Sequence, residues 1–454
     1  MVRSGYNSGM NEGIFKAYDI RGIYPTEINE NSVYEITKAY AAWLKPRKVA
    51  LGRDVRTSGE ELFNSAQKAL IEMGVDVVDI GVIVTDMLYF AVANYDLDGG
   101  IGITASHNPA EYNGMKMVKD SAKPISMDSG LAEIQDLAVK NKFETAEKQG
   151  SVEQKDILDD YVAKLLTFID KRLIRQMKVV ANPNFGAAGK VVEKLAQTLN
   201  LEIIRLNFEE DGRFPKGKPD PSLAENRVEA TEMIKKTVVD FGVTWDADAD
   251  RCFFFDETGA FVDGYYETAL LAQVVLEKYP GEKIIHDPRL IWATQDLVKE
   301  AGGIPLINKV GHSFIKERMR KEGAVFGGEN SGHFYFKDFY YCDNGMIPFL
   351  LMLQKISETG KKLSELVNPL KEKYPISGEI NFKVADAQVK LKEIEEKYSA
   401  GKRERIDGVS VTYPDWRFNI RASNTEPLIR LNIEAKMKEL VNQKVEELTD
   451  LIET

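Results

Sequence analysis

Short apolar segments alternate with longer amphipathic ones three times along this chain, and that rhythm restricts its fold more than any other feature. A polar loop, Tyr18-Asp-Ile-Arg-Gly22, precedes a helical pattern near residues 31–44. Lys48-Val-Ala-Leu-Gly52 then reads as a strand, Glu60 to Met73 as a helix and Val75 to Ile80 as a strand. The pattern restarts with a strand at Met177 to Ala181, a helix opening at Gly186 to Lys190 and a strand at Leu201 to Leu206. It restarts again with Lys283 to His286, Ala293 to Ala301 and Ile304 to Ile307. Strand–helix–strand units of this kind form largely parallel sheets with helices on both faces. The three units share a pattern and not a sequence, so they are not a clear repeat.

After about residue 367 the rhythm changes. Glu379 to Val384, Val409 to Tyr413, Arg417 to Ala422 and Leu428 to Ala435 read as strands. Ala387 to Tyr398 reads as a charged amphipathic helix, and a last helix lines up Leu440, Val441, Val445, Leu448 and Ile452 on one face. The expected fold is α/β: three α/β/α-layered domains with mixed sheets (1–150, 151–256 and 257–367) and a smaller α+β domain (368–454), with Lys371 to Pro375 as a hinge. At ~100–200 residues per domain, 454 residues suit three or four domains.

A composition of 43% hydrophobic and 29% charged residues is that of a folded globular chain. A net charge of −11 argues against nucleic acid or an anionic membrane as partner. It leaves room for a phosphorylated substrate, which a few local cations can bind. The two cysteines, Cys252 and Cys342, have no ligand or disulfide spacing and read as small buried hydrophobes in a reducing compartment. The polar start and the short apolar run at Met346 to Leu353 resemble neither a signal peptide nor a membrane span. The expectation is a cytoplasmic protein, monomer or homodimer.

Four segments carry chemistry. Thr104-Ala-Ser-His-Asn-Pro109 follows the strand-like Gly99 to Ile103, a turn that lifts the Ser106 hydroxyl out beside His107. Asp246-Ala-Asp-Ala-Asp-Arg251 sets three carboxylates on one side of an extended chain. Like charges so close call for a cation, and an all-oxygen donor set suits Mg²⁺ or Ca²⁺. Alternate residues of a straight strand lie about 6.6 Å apart, so to reach one metal either the side chains must converge or the strand must curl. The rival reading is an EF-hand, with Glu257 at its twelfth position, but Arg251 stands where that loop needs glycine, and the flanks Val243 to Trp245 and Phe253 to Phe255 read as strands. Gly327-Gly-Glu-Asn-Ser-Gly-His333 offers Glu329 and Ser331 to sugar hydroxyls. Arg421-Ala-Ser-Asn-Thr-Glu-Pro427 collects donors suited to a phosphate dianion. Alone, each segment also reads as an ordinary polar turn. Of the four histidines, His107 and His333 fall in these segments, His312 follows the loop Asn308 to Gly311, and His286 reads as structural.

Together, in this order, the segments resemble the α-D-phosphohexomutase family, with its TASHNP, DxDxDR, GExSGH and RxSNTEP loops, and most of all its phosphomannomutase/phosphoglucomutase branch. Ala17 to Gly22, Gly52 to Gly59, Asn113 to Lys116 and Pro219 to Ser222 also match that pattern. The resemblance implies four domains around a central cleft, each lending one loop. It implies a phosphorylated Ser106 that gives its phosphoryl group to a hexose monophosphate, a 1,6-bisphosphate that turns around, and return of the other phosphate to the serine. Asp246, Asp248, Asp250 and Ser106 would hold Mg²⁺. About two negative charges on the phosphoserine and three on the aspartates exceed what a divalent ion offsets, and Arg21, Lys116 and Arg251 are the matched cations. Lys116 or His312 would act as general base. Glu329, Ser331 and His333 would contact the sugar, and Arg421, Ser423, Asn424 and Thr425 the phosphate that is not transferred. Glucose or mannose 1,6-bisphosphate would serve as activator. The sugar loop departs from the branch at Asn330, where methionine is common, and the following segment reads Cys342-Asp-Asn-Gly345 where two aspartates are usual. Phosphoglucosamine mutase is therefore the alternative, and a metal-dependent sugar phosphatase a further one.

Overall fold

The computed structural model describes residues 10–422 and 428–453. Its strands fall into four sheets that follow one another along the chain. In the first, Lys48–Arg53 pairs in parallel with Asp76–Val82 and with Gly99–Ile103. Tyr112–Lys119 then folds back antiparallel on Gly99–Ile103, and Ile20–Ile23 pairs antiparallel with it at the edge. Glu30–Leu44, Gly59–Glu72 and Thr85–Asn94 are the helices between these strands. The second sheet runs Cys252–Phe255, Phe241–Trp245, Lys178–Asn182, Glu202–Arg205. The third runs Ile304–Ile307, Lys283–His286, Phe326–Gly328, Phe334–Phe336, Cys342–Asp343. Both are parallel on one side and antiparallel on the other, the mixed sheets that the alternating pattern implied. The fourth sheet, from Ile376–Lys383 to Lys402–Glu404, is antiparallel throughout, with helices Ala387–Lys397 and Lys438–Glu453.

Two expected domain limits meet regular structure. Val152–Gln154, just past residue 150, pairs with Asp76–Val82, so the first sheet extends beyond that limit. Helix Leu363–Lys373 runs through residue 367, and the fourth sheet begins only at Ile376. A strand's ladder hydrogen bonds and a helix's i→i−4 bonds hold such segments intact across a limit drawn from where the sequence pattern changes.

Burial divides the molecule differently from the sheets. One continuous apolar core joins residues of the first three sheets, from Ala50 and Val78 through Val179 and Trp245 to Ile284 and Phe349. Phe418, Ile420, Leu431, Ile433 and Leu448 build a separate core in the fourth. The apolar run at Met346 to Leu353 is wholly buried in helix Met346–Thr359, where Phe349 packs edge-on against Trp245 at 5.7 Å. Among the described residues no helix is long and apolar enough to cross a membrane.

Candidate active site

Three of the four chemistry-bearing segments begin where a strand of a mixed sheet ends, the usual place for a site in such folds. Gly99–Ile103 delivers Thr104 to Ser106, Phe241–Trp245 delivers Asp246, and Phe326–Gly328 delivers Glu329. The aspartates do not lie on an extended strand. The chain curls between two antiparallel strands, with Ala249 at φ +55° and its N–H donating to the Asp246 carbonyl at 3.1 Å. Glycines wedge this loop on both sides. A Cβ on Gly186 would lie 2.1 Å from the Ala247 carbonyl oxygen, and one on Gly345 would lie 2.2 Å from that of Ala249.

The curl brings one oxygen from each of Asp246, Asp248 and Asp250 within 4.8 Å of the others. All three side chains are buried. Ser106, at φ +50°, comes in from the first sheet and donates its Oγ–H to Asp246 Oδ2 at 3.0 Å, with His107 Nδ1 at 3.2 Å. Lys116 Nζ bridges Asp248 Oδ2 at 2.7 Å and Asp250 Oδ2 at 2.5 Å. Thr85 adds its hydroxyl to Asp248 Oδ2 at 2.6 Å and its N–H to the Asp248 carbonyl at 2.9 Å. Among the described residues Asp248 Oδ1 and Asp250 Oδ1 are buried without a hydrogen-bond partner. Buried anionic oxygens are costly when unmatched. Three convergent carboxylates, with Asp248 Oδ1 unmatched and Asp250 Oδ1 met among the described residues only by His333 Nε2 at 3.4 Å, therefore fit a small hard divalent cation.

The protonation states follow from the surroundings. Burial, then the charges of Asp250 and Asp248, push Asp246 well above the usual carboxylate range. Burial pulls Lys116 down, but the carboxylates of Asp248 and Asp250 outweigh it and hold the ammonium above its ordinary value. His312, at the start of helix His312–Glu322, is pushed well below the ordinary imidazole value by burial and by Lys316 and Lys116, so it is neutral at pH 7. Its Nδ1 is buried without a partner among the described residues. His312 packs edge-on against Tyr18 at 5.2 Å.

The sugar-loop candidates lie against the acidic loop. Arg251 and His333 form a bridge, Cys252 N–H donates to the Gly332 carbonyl at 3.0 Å, and Arg251 Nε donates to His333 Nε2 at 3.3 Å. His333 also faces Asp250 at 3.4 Å, with Ser331 Oγ 3.3 Å from its Nδ1. Glu329 is held from both ends, by Gly311 N–H at 2.9 Å and by the Tyr335 hydroxyl at 2.5 Å. Arg21 reaches the serine loop by donating Nη1 to Asn108 Oδ1 at 2.7 Å while its Nε holds Asp19.

Arg421 stands further along. It faces Glu379 at 3.5 Å and Asp407 at 3.9 Å, and Asp407 accepts from Val310 N–H beside the Gly311 that holds Glu329. Arg289 and Arg430 meet the same Glu379, each at 3.5 Å. Ser423, Asn424 and Thr425 lie outside the described residues. Thr85, Arg289 and Tyr335 carry no signal in the sequence. Each is a single polar residue in a helix start, a loop or a strand, and no local pattern distinguishes it.

Family models for phosphoglucomutase/phosphomannomutase match the chain end to end: α/β/α domain I over residues 12–148, domain II over 159–259, domain III over 263–374 and the C-terminal domain over 379–451. A protein of Vibrio cholerae serotype O1 named phosphomannomutase is 47% identical over 452 residues, covering 96% of this chain and 98% of its own. One of Xanthomonas campestris pv. campestris named phosphohexose mutases is 44% identical, with 96% and 98% covered. The crystal structure of a phosphoglucomutase/phosphomannomutase family protein from Burkholderia thailandensis superposes with a TM-score of 0.87 at 32% identity, covering 96% of each chain.

Proposed function

The chain belongs to the phosphoglucomutase/phosphomannomutase family, and on that premise we propose that it interconverts hexose 1-phosphates and hexose 6-phosphates, those of mannose and glucose first, through phosphorylated Ser106 and a 1,6-bisphosphate. One observation carries the reading. Ser106, after a strand of the first sheet, hydrogen-bonds Asp246, after a strand of the second, inside a carboxylate cluster whose unmatched Asp248 Oδ1 asks for a cation.

Asp246, Asp248 and Asp250, with an oxygen of the phosphoserine, would hold Mg²⁺. The ion would offset charge on the transferring phosphoryl group, the main demand in this class of reaction. Lys116 and Arg251 add positive charge on the same side, and Arg21 steadies Asn108 next to the serine. A sugar hydroxyl attacks the phosphorus, the P–O bond to Ser106 breaks, and the hydroxyl proton passes to a base. His312 suits that step better than Lys116, because a neutral imidazole has a free lone pair and an ion-paired ammonium has none. The bisphosphate turns over, the serine oxygen attacks its other phosphorus, the P–O bond to the sugar breaks, and the base returns its proton to the departing sugar oxygen, which restores the phosphoserine and releases the isomer. Glu329 and Ser331 read hydroxyls that look alike in both orientations. Arg421, with Arg289 beside it, holds the phosphate that is not in transfer.

A second reading, phosphoglucosamine mutase, draws support from Asn330. Its Nδ2 is buried without a partner among the described residues, which leaves a donor for a substituent on the sugar.

Phosphorus NMR of mannose 1-phosphate and glucose 1-phosphate, with Mg²⁺ and a trace of glucose 1,6-bisphosphate as activator, tests the proposal. It stands if 6-phosphates form and Ser106→Ala abolishes them. Release of inorganic phosphate alone would make the protein a phosphatase. Turnover of glucosamine 6-phosphate alone would select the second reading.

A further inference from the structure

Arg56 lies in the run Gly52 to Gly59 and is only 1% exposed. A guanidinium has five N–H donors in a fixed planar fork, and here each one is used. Nε donates to Asp54 Oδ2 at 3.2 Å. Nη1 donates to the carbonyls of Pro109 at 2.6 Å and Tyr112 at 2.9 Å. Nη2 donates to the carbonyls of Ser106 and Asn108, both at 2.7 Å. Four of the five acceptors are therefore main-chain oxygens of the single loop that carries Ser106.

A second arm reaches the same residue from the same motif. Asp54 Oδ2 accepts the Thr104 hydroxyl at 2.6 Å, and Thr104 Oγ1 accepts the Ser106 N–H at 2.9 Å. Both main-chain polar groups of Ser106 are thus fixed from Asp54 and Arg56. The serine needs such restraint, because φ +50° is a conformation that costs a non-glycine residue on the order of 1 kcal/mol or more. Phe214, which follows the second sheet's strand Glu202–Arg205, covers the fork with its ring centroid 5.0 Å from the Arg56 guanidinium carbon.

With no donor left over, Arg56 has none to offer a phosphate. We propose that Arg56 is a positioning residue for phosphoryl transfer: it holds the 104–112 backbone so that the Ser106 oxygen stays aimed at the acidic loop through both transfers. Resting as it does on the mutase reading, the proposal predicts loss in kcat rather than in KM. Misplacing a reacting atom by about 1 Å is enough to lose on the order of 100-fold in rate.

The test compares parent and Arg56→Lys, which keeps the charge and loses the fork. Amide hydrogen exchange of peptides covering 104–112 is the first readout and needs no turnover, so it decides the proposal even if the mutase reading fails. Faster exchange there, with the rest of the first sheet unchanged, is expected; unchanged exchange overturns the proposal. Steady-state kinetics is the second readout. A kcat lower by about 100-fold with KM little changed is expected, whereas a raised KM at unchanged kcat would make Arg56 a binding group and overturn it. If Arg56→Lys does not fold, Thr104→Val cuts the other arm and is expected to show the same loop exposure and the same kcat loss in smaller measure; a wild-type result there overturns the proposal.

Discussion

The molecule buries carboxylates in two contrasting ways. In the acidic loop three of them converge, Asp248 Oδ1 is left without a hydrogen-bond partner among the described residues, and Asp250 Oδ1 has only His333 Nε2 at 3.4 Å. At the junction of the third and fourth sheets Glu434 is equally buried, but each of its oxygens accepts two hydrogen bonds. Ile291 N–H (2.8 Å) and Arg417 Nη1 (3.1 Å) donate to one, and the Tyr265 hydroxyl (2.6 Å) and Trp292 N–H (3.1 Å) to the other. Arg417 then donates to the carbonyls of Pro288 and Arg289. A fully satisfied buried charge is a fastener. An incompletely satisfied one where loops of two sheets converge is a place prepared for something else, held at the expense of stability.

The contrast can be broken by removing one charge at each place. Asp248→Asn should lower kcat by about 1,000-fold, on the order of 4 kcal/mol, while changing the melting temperature little, because Lys116 keeps Asp250 as its partner and repulsion among the aspartates falls. Steady-state kinetics with differential scanning fluorimetry reads both, and loss of soluble protein would instead mark the loop as structural. Glu434→Gln should do the opposite. It leaves Arg417 buried beside a neutral amide, at a cost of about 3 kcal/mol in denaturant unfolding, with the activity of the folded fraction little changed. If Glu434→Gln were harmless and Asp248→Asn unfolded the chain, the distinction would fail.

A smaller effect sharpens the comparison. His286, near the junction, meets the Asp287 carbonyl through Nδ1 at 3.0 Å, and its Nε2 has no partner among the described residues. Burial pulls it down to about 4 from an ordinary 6.5. The unfolded chain therefore takes up the proton first, so stability is complete above pH ~6.5 and declines as pH falls towards 4. Between pH 7 and pH 5 this one residue should cost about 2 kcal/mol. His286→Gln should flatten the loss in urea titrations at the two pH values, and an equal loss in both proteins would remove His286 from the account.

How much of this was legible in the sequence depended on whether the signal was local. The acidic loop was, because three carboxylates at alternate positions between apolar runs repel one another until a cation joins them. The need for a curl or for convergent side chains was legible from the spacing, but the form it takes was not, since nothing in Asp246 to Arg251 announces a positive φ at Ala249. Four strands of the fourth sheet were read to within three residues and Lys402–Glu404 was not read, while the polar positions gave no sign of their burial. Arg417 and Asn419 on one strand, and Asn432 and Glu434 on the next, alternate with apolar neighbours as a solvent-facing row does. All four are buried, and Arg417 and Glu434 are covered by the 288–292 segment and Tyr265 of another sheet's domain. Alternation reports two faces and cannot say what lies against the second. Arg56 escaped for a similar reason: an Asp-Val-Arg-Thr run looks like a hydrated turn until the loop it clamps is seen beside it.

The Glu434 fastener also has a consequence for the order of events during synthesis. Domains made on the ribosome fold from the N-terminus as they emerge. The first three sheets, with their shared core, can assemble before the fourth exists. Until residue 434 has left the ribosome, however, the Tyr265 hydroxyl and the amides of Ile291 and Trp292 lack their acceptor. The neighbouring Asp287, which fixes the Asn330 N–H of the sugar loop, lies on that same untethered segment. A nascent chain would therefore hold the 327–333 loop through Gly311, Tyr335 and Arg251 for some time before the 287–292 segment beside it gains its own anchor, and the last strand to be made is the one that supplies it.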